Sequence, residues 1–183
     1  LAGGVTAAVQ AATKGGTGPY LRHQGAEMGE SLAIAEYCAE FAPALWPADR
    51  VVRAHARAIA SEMHAGYREL RMAMPMSLFR PNAGGKCATD GALADIARIE
   101  AIWHDTRARF GAGGPYLFGA DFTNADVMFA PVVCRLLTYQ PKLSKVAADY
   151  CAAMRAHPLM MEWYDGAAKE PRDWDLAAME TAP

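Results

Sequence analysis

Apolar positions recur by threes and fours over most of this chain, and where they do the spacing predicts amphipathic helices. The first clear stripe, Ile34, Tyr37, Cys38 and Phe41, predicts a helix from Ser31 to Phe41. Pro43 and Pro47 bracket "PALWP", a short linker with an aromatic anchor. A longer stripe of Val52, Ala56, Ile59, Met63, Tyr67, Leu70 and Met74 predicts one helix of about six turns, ended or kinked by Pro75. "RPNAGGK" (80–86) reads as loop. Thr89 or Asp90 can cap the next helix, whose stripe is Leu93, Ile96, Ile99 and Trp103 and which closes near Gly111. From Val127 to Tyr139 only Arg135 is charged. A helix apolar nearly all round is surrounded by protein, so this one is expected at the centre of a helical domain. Two shorter helices, about 143–156 and 159–169, are parted by His157-Pro158. Trp174 and Leu176 are expected to anchor a tail laid back on the surface.

The front of the chain differs. Residues 4–12 read as the tail of a helix. "TKGGTGPYLRHQGAEMG" then holds five glycines and one proline in seventeen residues. It allows at most two short strands, near Tyr20–Arg22 and Ala26–Met28. The expected fold is mostly α, with a small mixed segment before an all-helical domain. The boundaries are 1–42 for the mixed segment, 43–48 for the linker and 49–183 for the helical domain.

Composition narrows the function classes. The 183 residues are 52% hydrophobic and 21% charged, with a formal charge of −2. That balance gives no electrostatic case for nucleic acid or an anionic membrane, and no apolar run approaches the ~20 residues of a membrane span. Cysteines 38, 87, 134 and 151 lack CxxC or metal-like spacing. They read as thiols of a reducing compartment, and nothing at the start resembles a signal peptide. His55, His64 and His104 also lack metal-ligand spacing and read as solvated or packed. No metal is expected. The glycines of "GAGGPYLFG" are no phosphate loop, because no Lys-Ser/Thr follows.

Two local signals remain. In "FTNAD" (122–126), Thr123 and Asp126 fit a capping box, with Asp126 in the usual place of glutamate and Phe122 able to staple onto Val127. In "MGESLAIAEY", Glu30 and Ser31 stand at a helix mouth. Either they cap the helix, Ser31 satisfying an orphan amide, or they wait for a ligand.

"ESLAIAEY", the "LWP" linker, "RAIASEMHAGYRELRMAMPM", "YLFGADFTNADVMFAPVV" and "HPLMMEWYDGAAKE" together resemble the cytosolic glutathione S-transferases of bacterial type, over residues 28–170. The resemblance implies a partial thioredoxin-like (α/β) segment followed by the all-helical C-terminal domain of that family. It implies an enzyme joining the glutathione thiol to small hydrophobic electrophiles, with glutathione as co-substrate and no other cofactor. It further implies a cytoplasmic homodimer, paired through the first two helices of the helical domain. In the family frame Pro19 is a cis-proline. Gly18 and Pro19 then meet the cysteinyl main chain of glutathione, while Glu30 and Ser31 meet its γ-glutamyl ammonium and carboxylate. Met63, Tyr67 and Arg71 read from the stripe as core or dimer contact, and in the family frame some of them instead border the electrophile pocket. Leu1 falls inside the family's second helix, so the residue that activates the thiol is assigned to no position here. The alternative is a non-catalytic relative in which the same fold is an interaction module, as in stringent-starvation-type proteins.

Overall fold

The computed structural model describes residues 7–79 and 88–170. Trp174, Leu176, Cys87 and the 80–86 loop lie outside them. A short helix α1 (Ala7–Ala12) leads into an antiparallel hairpin of β1 (Tyr20–His23) and β2 (Ala26–Gly29), with Tyr20 opposite Gly29 and His23 opposite Ala26. The tight turn is made by Gln24 and Gly25, both at positive φ. Helix α2 (Ser31–Phe41) and a 3₁₀ turn at Pro43–Leu45 follow. The helices after them are α3 (Arg50–Ala65), α4 (Arg68–Ala73), α5 (Asp90–Phe110), α6 (Asn124–Tyr139), α7 (Lys145–Ala156) and α8 (Pro158–Ala167).

The core gathers around α6, which packs on α3 and α7, while α5 lies against α4 and α7. Twelve of its sixteen residues are buried, as an all-round apolar sequence requires. Trp103 meets Tyr150 and Phe129 edge-on at 4.7 and 5.6 Å between ring centroids. The one charge in its apolar run, Arg135, is buried. It donates from Nε to the Met74 carbonyl at 2.9 Å and from Nη1 to that of Pro131 at 3.0 Å.

Thr123 and Asp126 form the expected capping box. The carboxylate reaches beyond it. Asp126 Oδ2 accepts from the Thr123 amide (2.9 Å) and hydroxyl (3.0 Å), and Oδ1 from the Leu117 amide (3.1 Å) and the Tyr150 hydroxyl (3.0 Å). One buried side chain thus joins the 116–119 turn, the start of α6 and the middle of α7. Phe122 stacks on His157, with centroids 3.8 Å apart, and meets Tyr116 edge-on.

Two expectations need correction. Leu93 is exposed, and the inner face of α5 is instead Ala92, Ile96, Ile99, Ile102, Trp103 and Thr106. The predicted six-turn helix is also broken between α3 and α4. Gly66 leaves the helix in extended backbone, and Tyr67 sits in the left-handed region at φ 62°. A Cβ at Gly66 would lie 2.8 Å from the Glu62 carbonyl oxygen, so only glycine fits. Side chains hold the break. Arg71 donates from Nε to the Gly66 carbonyl (2.9 Å) and from Nη2 to that of Met63 (2.7 Å), and Asp95 accepts from the Leu70 amide. The helical period survives the break because Tyr67, Leu70 and Met74 all remain buried.

Candidate functional site

Helix α2 is tied to the helical bundle by two polar contacts. The Asn124 amide donates to the Ala35 carbonyl at 3.0 Å, and Arg57 makes a two-pronged pair with Glu36 at 2.9 and 2.8 Å. These ties set the N-terminal end of α2 against the hairpin and the last turn of α3.

That end, like the start of α4 at Tyr67, makes no side-chain cap, and in this it differs from the other helices whose starts are described. Asp49, Thr89, Ser144 and His157 cap α3, α5, α7 and α8 with their side chains, and the Thr123–Asp126 box starts α6. Of the two alternatives the sequence allows, a cap by Ser31 is not the one formed. Instead Glu30 is the N-cap, Ser31 is the first helical residue, and no side chain caps the helix. The first intrahelical bond is from the Ile34 amide to the Glu30 carbonyl. The amides of Ser31, Leu32 and Ala33 precede it at the positive end of the helix dipole. Glu30 lies at φ 69°, a conformation that costs a non-glycine residue about 1–3 kcal/mol. Its carboxylate is 73% exposed, and Oε2 stands 3.1 Å from His64 Nε2 at the end of α3. His64 is solvated, one of the two readings its spacing allowed, and its ring reaches Glu30 from 34 positions away. No local signal in the sequence pointed to it.

The Gly18–Pro19 bond is cis, as the family frame implied, and β1 begins at the next residue. Pro19 and Glu30 thus flank the two ends of one hairpin.

Met63, Tyr67 and Arg71 are brought together, but as the joint between α3 and α4. Met63 and Tyr67 are buried, and the Tyr67 hydroxyl donates to Glu62 Oε1 at 2.8 Å. Burial, reinforced by that carboxylate, pushes the Tyr67 hydroxyl far above its ordinary range, so it is no acid or base near neutral pH. Glu62 in turn pairs with Arg98 at 2.8 and 2.9 Å. Arg71 Nε and Nη2 are spent on backbone carbonyls. The geometry gives these three a structural task at that joint.

The remaining titratable groups are inward. The Cys134 and Cys151 thiols are buried, and burial pushes Cys151 up to about 12. His55 Nε2 lies 2.8 Å from the fully buried Thr106 Oγ1. Among the described residues no group of three His, Cys, Asp or Glu could hold a metal ion, and no helix is long and apolar enough to cross a membrane.

No family model matches the chain. A probable maleylacetoacetate isomerase of Caenorhabditis elegans is 29% identical over 143 residues, which cover 70% of this chain and 64% of that protein. The chain thus spans less than two thirds of that relative's length. Among solved structures, a glutathione transferase homolog from Burkholderia gl BGR1, with bound glutathione, is 22% identical and superposes with a TM-score of 0.63 over 86% of this chain and 77% of its own. A monomeric glutathione S-transferase of the hookworm Necator americanus is 17% identical, with a TM-score of 0.67 over 90% and 80%. This protein has the glutathione S-transferase fold, a thioredoxin-like part followed by a helical part.

Proposed function

We propose that this protein binds glutathione at the start of α2 and acts as a glutathione S-transferase, joining the glutathione thiol to small electrophiles. The observation that carries the reading is the uncapped first turn of α2 beside the exposed carboxylate of Glu30. A helix start without a side-chain cap is a ready seat for an anion. Glutathione offers a carboxylate and an ammonium on one carbon of its γ-glutamyl end. The carboxylate would meet the Ser31 hydroxyl and the first amides of α2, and the ammonium would meet Glu30. The backbone at Gly18, before cis-Pro19, would take the cysteinyl main chain as a sheet edge takes a strand.

Seating both substrates would supply proximity. The sulfur attacks the electrophilic carbon, the carbon–sulfur bond forms and the leaving group departs with its electron pair. The thiol proton would first pass to solvent, because Tyr67, Cys134 and Cys151, buried with raised pKa values, are unsuited to take it. The same reading takes the protein as a cytoplasmic homodimer with no cofactor beyond glutathione.

Retention on immobilised glutathione, followed by a conjugation assay with a chloronitrobenzene, tests it. Retention with conjugation supports the transferase. Retention without turnover supports the interaction module, and failure to bind rejects both the site and the activity.

A further inference from the structure

The γ-glutamyl site described above is proposed from α2 and the hairpin alone, yet Glu30 is held from elsewhere. We propose that His64 is a positioning residue for that site: its imidazole Nε2 grips one oxygen of Glu30 and leaves the other for the ligand's ammonium. The inference rests on the glutathione reading and deepens it.

Three observations carry it. Glu30 is fixed at both ends. Its backbone is locked at φ 69° as the N-cap of α2, and its tip is held by His64 Nε2 at 3.1 Å from Oε2. No described residue bonds Oε1. A glutamate side chain free to sample its rotamers would lose that freedom on meeting a ligand, and one already held does not.

His64 is itself placed firmly. It lies in the last turn of α3, where Glu62 pairs with Arg98 and Tyr67, and Met63 is buried. That turn is braced by the two hydrogen bonds of Arg71 to the Met63 and Gly66 carbonyls. The break between α3 and α4 thus has a consequence at the site: it stiffens the turn that presents the imidazole. A continuous helix would have no use for this bracing.

The pair is also exposed, His64 by 36% and Glu30 by 73%. Pairs exposed to this degree add little to folding. Removing His64 is therefore expected to leave the fold intact and to be read in binding.

The test compares two ligands by calorimetry: glutathione, and glutaryl-cysteinylglycine, the same skeleton without the amino group. His64→Ala is expected to weaken glutathione binding about three- to tenfold, the range of one hydrogen bond, and to leave the deamino ligand unchanged. His64→Gln, which keeps an N–H donor, should restore most of the loss. Equal losses for both ligands would mean a general structural role and overturn the proposal, as would no loss at all. If Glu30→Ala weakens glutathione binding and His64→Ala does not, the glutathione reading stands and this inference alone fails. If wild type binds no glutathione, both fall.

Discussion

The Tyr150 hydroxyl donates to Asp126 Oδ1 at 3.0 Å, joining α7 to the start of α6 inside the core. Asp126 is thus more than half of a capping box. Asp126→Ala leaves the Leu117 amide, the Thr123 amide and hydroxyl and the Tyr150 hydroxyl buried without that acceptor, at about 1 kcal/mol each, so a loss of about 4 kcal/mol is expected. Thr123→Ala keeps the carboxylate and should cost about 1 kcal/mol. Urea melts showing equal costs for the two variants would mean that the contacts to Leu117 and Tyr150 contribute nothing.

His55 gives the fold a pH dependence. Burial, and secondarily Arg109, hold its imidazole below the ordinary value of 6.5, against an opposing pull from Asp105. Below 6.5 the unfolded chain takes up a proton that the folded chain still refuses. Stability from this residue is therefore complete above that pH and falls as the pH drops towards the lowered folded value. Denaturant midpoints from pH 7.5 to 5 should decline less for His55→Gln than for wild type. Parallel curves would contradict the assignment.

The outward face of α3 is smooth: Val51 is 67% exposed, and Ala54, Ala58 and Ser61 follow it on the same side by threes and fours. Small residues let a second helix approach closely, and we expect this face to pair two copies. The fold does not impose dimerisation, since one structural neighbour is described as monomeric. Light scattering at tens of micromolar should give a dimer mass for wild type and a monomer mass for Ala58→Arg. A monomeric wild type would remove this part of the account.

Much of the fold was legible because periodicity and capping are local. The Ser31–Phe41 helix, both strands to within one residue and the Thr123–Asp126 box follow from neighbours a few positions apart. The break at Gly66-Tyr67 was missed because Tyr67, Leu70 and Met74 stay buried on either side of it, so the apolar stripe runs on without interruption. "HAGY" held the signal, a glycine before a residue that could turn left-handed, but an apolar stripe of that length outweighed it. The site was legible only in part. Glu30 and Ser31 stood out at the helix mouth from the residues alone, whereas their glutathione role and cis-Pro19 came from family resemblance. His64 could not be found, because its partner lies 34 residues away and neither residue belongs to a periodic pattern. Arg71 read from the stripe as core or dimer contact and bordered a pocket only in the family frame, and neither reading shows its backbone partners. Its guanidinium instead meets carbonyls that the broken helix had left open.

The claim that the start of α2 is a glutathione site is tested most directly by titrating glutathione into wild type, Ser31→Ala and Glu30→Ala in a calorimeter. Neither side chain caps the helix, so both variants should melt like wild type. Glu30→Ala loses the ammonium's partner and should bind about tenfold more weakly, the equivalent of ~1.4 kcal/mol. Ser31→Ala loses one hydrogen bond to the ligand carboxylate and should bind less weakly than that, because the amides of the first turn remain. Equal glutathione affinity for wild type and Glu30→Ala would contradict the account.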